Sequence, residues 1–386
     1  MYFNCPLLYD MRVFMSFLLI NIMLFICSFF NKKILFYISF FISLLYFCFT
    51  FGRGFDWLNY YDIYSSINPN VFELPFEPGY YIIMRVFHYF GSPFSVMMAF
   101  TTLVMFSFIF IYCRRMQNPT LSFFTLISFM GHYLFSEQVR QGLAICIILY
   151  GFPFFERKQY VKAFLIILIA MLFHVSAIFC LLFFFIIKKN ESFANIKFSI
   201  YCLLFLMLSY YIWSNPAIVK FIPLFYSKMI DYSTSYTEGF ISVGKILSSK
   251  VAFLYIVMLV LSILILKKTK NSDVNRAIKA LIFMTLTKIT IFFGRFQYYV
   301  VPLLISGLDD YFSRNTGRKI SFYKVIYVTS LFVISLVPLW TPSTYTSIND
   351  PIYIGSSVKE VEGKVGNRCM ILNKYDKDNN AIGRCR

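Results

Sequence analysis

Along the 386-residue chain, long apolar runs alternate with short polar breaks. A helix needs about 20 mostly apolar residues to cross a bilayer. Runs of that kind lie at 13–30, 34–51, 94–112, 120–135, 139–155, 163–187, 196–214, 251–266, 278–294, 297–312 and 321–339. They are solid runs, not the alternating segments of about 10 residues that build a membrane β-barrel. The pattern predicts an all-α polytopic membrane protein with about 11–12 transmembrane helices. The run 163–187 is long enough for one tilted span, but its basic flanks on both sides favour a hairpin of two short helices broken near His174. The stretch 80–93 carries Arg85 and His88 and ends at Gly91 and Pro93. It reads as an amphipathic helix lying at the membrane interface or, alternatively, as the start of a long tilted span running to 112. The N-terminal run lacks a small-residue cleavage site and is followed at once by a second span, so it is not expected to be a cleaved signal peptide. Residues 1–339 read as one polytopic domain with outer loops at 52–79 and 215–250, and 340–386 as a polar extracytoplasmic tail.

Composition sharpens this picture. The chain is 59% hydrophobic and 14% charged, against about 45–50% and about 25% for a soluble domain. That excludes a disordered chain, a secreted disulfide scaffold and an ordinary cytosolic enzyme. The net charge of +18 would suggest nucleic acid, but its placement does not. Nineteen of the 36 Lys and Arg, from Lys32 and Lys33 through Arg114, Arg157, Lys188 and Lys267 to Lys324, fall in one set of loops. Basic residues in short loops mark the cytoplasmic side, so most of the charge is orientation and no nucleic-acid partner is expected. Nine cysteines include no CxxC pair, and the three histidines are too far apart for a zinc-protease motif. Cys369 and Cys385 share the tail, and an extracytoplasmic tail would allow them to pair. There is no nucleotide-binding glycine loop. Asp376-Lys377-Asp378 spells DxD but reads as a solvated turn.

Five polar groups beside apolar walls stand out. A charge at a span centre costs about 2.5–3.5 kcal/mol, so it needs a partner, a wet cavity or a function. In FGRGFDWLNYYDIY (51–64), Arg53 and Asp56 adjoin Trp57, Tyr60 and Tyr61. In FEPGYY (76–81), Glu77 precedes a Pro-Gly turn, and a carboxylate at an apolar rim is expected to have a raised pKa suited to a base. In SEQVRQGLA (136–144), Arg140 and Gln141 open a span, and the planar arginine fork grips phosphate. In AMLFHVSA (170–177), His174 sits in a long apolar run. In FFGRFQYY (292–299), Arg295 precedes Gln297, Tyr298 and Tyr299. Each has a plain reading by itself: an interfacial ion pair, a loop carboxylate, a snorkelling arginine, a core histidine, a loop arginine. Under the orientation above they share one outer side. An outer cavity rich in Arg and Tyr suits a lipid-linked anion with a sugar head.

Taken in order, R-G-x-D-W-x-x-Y (53–60), E-P-G-Y (77–80), V-R-Q-x-x-A (139–144), F-H-x-S-A (173–177) and G-R-F-x-x-Y (294–299) resemble the EpsG/Wzy family of polysaccharide polymerases over roughly residues 10–320. One departure is that Gly54 directly follows Arg53, whereas some relatives place the arginine further from the Gly-x-Asp. The resemblance implies a bacterial inner-membrane, multi-pass glycosyltransferase of GT-C-like architecture. It would join undecaprenyl-diphosphate-linked oligosaccharide repeat units into O-antigen or a related surface polysaccharide at the periplasmic face. Transfer would be inverting and metal-independent, with no cofactor. The implied partners are the lipid-linked oligosaccharides, the lipid bilayer and a separate chain-length-determining co-polymerase. The residues matching these motifs give Glu77, then Asp56 and His174, as candidates for the base. Arg140, Arg295 and Arg53 are candidates for the diphosphate, and Tyr60, Tyr80, Gln141 and Tyr299 for the sugars. Two alternatives stand beside this reading. An O-antigen ligase usually has its key histidine in the large outer loop, and 215–250 contains none. A lipid-linked oligosaccharide flippase or transporter would more often show inverted repeats, and none is visible.

Overall fold

The computed structural model describes residues 6–68, 70–71, 74–187, 194–220, 226, 230, 249–289, 294–314, 321–340, 345, 348, 350–376 and 385. It is the structure of an all-α membrane protein with almost no sheet. Two compact units divide the chain: Met1–Phe184 with Asp309–Arg386, and Phe185–Leu308.

The first unit opens with α1 (Pro6–Ser28), α2 (Lys33–Phe49), a two-residue strand β1 (Thr50–Phe51), α3 (Asp56–Ser65), α4 (Pro78–Tyr89) and α5 (Phe94–Arg114). It continues through α6 (Pro119–His132), α7 (Val139–Glu156) and α8 (Tyr160–Met171) to the first two residues of a short α9 (Phe183–Ile186). The second unit holds α10 (Ala194–Ser214), α11 (Lys250–Thr269), α12 (Val274–Leu286) and the start of α13 (Val301–Arg314). After Leu308 the chain returns to the first unit with α14 (Phe322–Ser335), strand β2 (Ile352–Tyr353) and α15 (Val358–Asp376).

Helix α6 is the centre of the first unit. Its sequence, PTLSFFTLISFMGH, is nearly apolar all round, and every one of its residues is buried. Such a helix belongs inside a bundle. Pro119 starts it where a missing N–H costs nothing, and the Asn118 side chain accepts from the Leu121 N–H at 3.2 Å. Helices α1, α2, α5 and α14 pack around it. The rings of Phe36, Phe40, Phe106 and Phe123 interlock there, with centroids of Phe40 5.2 Å from Phe123 and 5.6 Å from Phe106. Each such pair adds about 0.5–1.5 kcal/mol beyond its buried area. In the second unit α12 packs against α10 and α11, and the Asn195 amide donates to Asn275 at 2.7 Å.

Among the described residues, α5, α7 and α11 are long and apolar enough to cross a bilayer, and five further apolar helical stretches are shorter. Several expected spans are divided. The run 120–135 ends as α6 at His132 and passes into a single π turn, Tyr133–Glu137. The run 163–187 stops at Met171 and resumes as a tight turn of helix at Val175–Leu182, so the break falls at 172–174, next to His174. Residues 80–89 lie in α4, which is cut from α5 by Gly91 at φ +65° and by Pro93. Apolar side chains also face outward. On α10, Leu203, Leu204, Met207 and Leu208 are 45–67% exposed, as a lipid-facing surface requires.

The C-terminal tail packs into the first unit. Strand β2 pairs antiparallel with β1, Thr50 opposite Tyr353 and Phe51 opposite Ile352. The Ile354 N–H extends the ladder to the Phe49 carbonyl at 3.0 Å. From α15, the buried Arg368 donates to the carbonyls of Asp350 (2.5 Å) and Gly52 (3.5 Å). Burial lowers its pKa to about 10, so it is still a cation at neutral pH. Cys369 and Cys385 are disulfide-bonded, with Cα atoms 4.9 Å apart. Asp376 ends α15, while Lys377 and Asp378 of the DxD lie outside the described residues, as does most of the 215–250 loop.

Candidate functional site

The E-P-G-Y motif sets the corner of the site. Glu77 is the last residue before α4, and Pro78 supplies its first turn. The Gly79 N–H then donates to the Leu172 carbonyl at 2.7 Å, at the end of α8. A Cβ on Gly79 would stand 2.8 Å from that oxygen, so only glycine permits the approach. Glu77 is thereby held against the break at 172–174, and its Oε1 accepts from the Val175 N–H at 3.3 Å.

Its other oxygen meets Arg140 Nη1 at 2.5 Å. Arg140 lies in the first turn of α7, directly after the π turn. Its Nε donates to the Tyr60 hydroxyl at 3.3 Å, and its guanidinium stacks over Phe76 (4.7 Å) and Tyr60 (5.4 Å). The Tyr60 and Tyr80 rings touch beneath it at 5.4 Å. The side chains of Arg140 and Glu77 remain 24% and 13% exposed, so the pair borders the surface. Asp56, the first residue of α3, is half-buried and close enough to add to the field at Arg140. At His174, Nδ1 accepts from the Ser176 N–H at 3.3 Å and lies 2.5 Å from the Ser176 hydroxyl.

Four motifs thus converge: 53–60, 77–80, 139–144 and 173–177. The electrostatics differ from the expectation of a raised carboxyl. Burial does push the Glu77 pKa up, but Arg140, then His174 and the N–H donors, outweigh it and hold the carboxyl below its usual value. The N-terminus of α7 also brings its positive dipole end to the site.

The remaining candidates are placed otherwise. Arg53 is 0% exposed. It donates to Ser136 Oγ at 3.5 Å and to the Thr50 hydroxyl, and it stacks on Tyr46 at 4.2 Å. It therefore braces the segment after α2 and presents no free charge to the opening. Tyr60, Tyr80 and Gln141 are also buried and offer no open stacking face; Tyr60, with Tyr80 packed on it, supports Arg140. Arg295 and Tyr299 belong to the second unit. There Arg295 is a half-buried turn residue and Tyr299 is buried, near Gln297, whose side-chain oxygen accepts from the Tyr255 hydroxyl at 2.8 Å.

Sequence reasoning missed three contributors. Phe76 looked like an ordinary aromatic although it directly precedes Glu77. Val175 contributes only its backbone N–H, which no side-chain pattern reveals. Glu137 accepts from the Phe55 N–H at 3.4 Å and so ties α3 to the start of α7.

A guanidinium at a helix N-terminus, paired with a carboxylate and a phenol, can hold a phosphate and accept a proton beside it. The chain matches no curated protein and no solved structure. The sequence model of the EpsG family matches residues 33–347, a stretch that holds all five motifs, and the chain belongs to the EpsG family.

Proposed function

We propose that this chain is a membrane glycosyltransferase that polymerises undecaprenyl-diphosphate-linked oligosaccharide units into a surface polysaccharide such as O-antigen, using Arg140 and Glu77. EpsG membership and the apolar helices support a membrane-bound polysaccharide polymerase in general terms. The Glu77–Arg140 pair at the start of α7 carries the finer assignment.

In the proposed step, a hydroxyl of the acceptor unit attacks the anomeric carbon of the donor glycan from the face opposite the diphosphate. The new glycosidic C–O bond forms as the old C–O bond to the diphosphate breaks. The diphosphate leaves with both electrons, and the hydroxyl proton passes to Glu77 and then to water. Arg140 and the α7 N-terminus neutralise the charge that builds on the leaving group, often the largest catalytic term. The depressed Glu77 pKa fits this sequence of events. The carboxylate is ionised at rest but is a weak base while Arg140 holds it. A diphosphate that takes over the Arg140 fork releases Glu77 and raises its basicity as the acceptor arrives. Asp56 and His174 shape the field around the pair. The reaction would take place at the periplasmic face of a bacterial inner membrane, with a separate co-polymerase setting chain length.

The test is chain growth in cells that carry Arg140→Ala or Glu77→Gln at normal membrane levels. Loss of Arg140 should lower polymerisation about 10²–10³-fold, leaving the lipid core capped by a single repeat unit. Glu77→Gln can still accept from the Val175 N–H but cannot take a proton, and should lose about 10²–10⁴-fold. A normal ladder from Arg140→Ala removes the diphosphate assignment, and one from Glu77→Gln removes the base. A deletion strain with no glycan on the core at all would instead indicate the ligase or flippase reading.

A further inference from the structure

Helix α3 serves two places. Tyr60 turns toward Arg140, whereas its neighbour Tyr61, together with Tyr64, turns toward Phe94 at the start of α5. There a cavity of about 410 Å³ opens between α3, the α4–α5 turn and the tail, within the size range of small-ligand sites, about 300–1,000 Å³. Neither Glu77 nor Arg140 lines it.

Its lining is chemically specific. Tyr61, Tyr64 and Phe94 supply ring surface, and His88, Ser95 and Ser356 are among its polar groups. Among the described residues, no Lys, Arg, Asp or Glu lines it. A site without charge cannot balance a diphosphate. A site built only for an acyl chain would have no use for an imidazole and several hydroxyls. A sugar ring needs both kinds of wall, because it has an apolar C–H face and a polar hydroxyl edge. The rings are also held in place. Tyr64 donates to the Ser92 carbonyl at 2.5 Å, and Tyr61 donates to Glu362 of α15 at 3.0 Å. Tyr64 stands edge-on to both His88 and Phe94, each at 5.5 Å. Preorganised rings lose little freedom when a ligand binds. Three of the lining residues, Ser356, Val358 and Val361, lie beyond residue 347, where the family match ends.

We propose that this cavity is a carbohydrate subsite. It holds an uncharged stretch of the glycan away from the diphosphate, and the tail residues that close it take part in selecting the unit that is extended. The subsite rests on the polymerase reading for its ligand class, and its test separates the two.

The probe is the repeat-unit oligosaccharide released from its lipid carrier by mild acid, which leaves a glycan without diphosphate. Binding to the purified full chain is followed by saturation-transfer NMR in a detergent that has no sugar head. Ser356→Trp fills the cavity from the tail side and should weaken binding roughly tenfold, whereas Ser356→Ala should stay within about twofold. His88→Ala leaves the tail intact and should weaken binding roughly fivefold, the loss of about one hydrogen bond. Arg140→Ala should bind the glycan as wild type does. No binding by the wild-type chain overturns the subsite, as does unchanged affinity in both Ser356→Trp and His88→Ala. Competitive displacement of the glycan by a free fatty acid would assign the cavity to an acyl chain and overturn it too. Normal chain growth in Arg140→Ala, with binding still lost in Ser356→Trp, would remove the polymerase site and leave the subsite standing.

Discussion

Gly54→Ala offers a direct test of how the motif around Arg53 is built. Gly54 has φ +79°, a conformation that costs a non-glycine residue about 1–3 kcal/mol. A Cβ placed there would lie 2.5 Å from Glu137 Cδ and 2.9 Å from Glu137 Cβ. The carboxyl end could swing away, but Glu137 Cβ is fixed to its backbone, so the π turn itself must shift. Overpacking of this kind costs about 1–3 kcal/mol more, for a total of about 2–6 kcal/mol. Gly91 is the natural control. Its φ is +65°, and a Cβ there would meet nothing within 4 Å, so Gly91→Ala should carry the backbone cost alone. Thermal unfolding of the two purified variants in the same detergent, followed by loss of the monodisperse peak, gives the comparison. Gly54→Ala should melt clearly below Gly91→Ala. Glu137 lies three positions before Arg140, so Gly54→Ala should also depress chain growth. A Gly54→Ala protein that melts at or above Gly91→Ala would refute the packing of this segment against Glu137.

Two further outcomes follow from the same contacts. Arg368→Met removes the charged donor to the Gly52 and Asp350 carbonyls and should cost about 1.5–3 kcal/mol per bond at most, seen as faster proteolysis within α15; unchanged cleavage would mean that the tail is held by β1–β2 and Tyr61 alone. The Glu77 pKa is depressed in the fold, so its stabilising contribution is present above its ordinary value of 4.5 and is lost as the pH falls through the lower folded value; Glu77→Gln should therefore flatten the acid limb of the melting curve, and an unchanged limb would mean that the Arg140 pairing adds nothing to stability.

Much of the architecture was legible because its signals are local. Solid apolar runs mark helices whatever they pack against, and the break near His174 was visible from the basic flanks of 163–187. The separation of α4 from α5 was visible from Gly91 and Pro93. The π turn before Arg140 was not, because it answers a tertiary demand: a Cβ on Gly142 would sit 2.5 Å from the Leu134 carbonyl, a contact between residues eight apart. The docking of the tail was not legible for a related reason. Its helix is polar in composition, and what docks it is one β bridge, the reach of Arg368 to a carbonyl 316 residues away and the Tyr61–Glu362 hydrogen bond. None of these has a sequence period. The Glu77 pKa shift was expected in the wrong direction because burial can be guessed from neighbouring residues, whereas the partner that reverses it comes from another helix.

The two arginines show where a sequence reading of charge needs backbone geometry as well. Arg53 and Arg140 look alike in the chain, since each adjoins an apolar run and each has aromatic neighbours nearby. The difference lies in what flanks them. Arg53 stands between Gly52 at φ +74° and Gly54 at φ +79°. Two left-handed residues fold the backbone around the side chain, and their missing Cβ atoms let Ile352 and Glu137 close in on either side. The guanidinium is then held by Ser136, Thr50 and the Tyr46 ring, with its Nε buried without a hydrogen-bond partner, and has no exposure left. Arg140 stands between Val139 and Gln141 in the first turn of a helix, where the backbone cannot fold over it. A charge at that position must project past the helix end, and its partner there is Glu77, itself only partly covered. An arginine framed by glycines is therefore more readily walled in as a brace, and one that opens a helix is more readily left to meet a ligand. That distinction moves the weight of the proposed phosphate recognition in the first unit from a pair of arginines to Arg140.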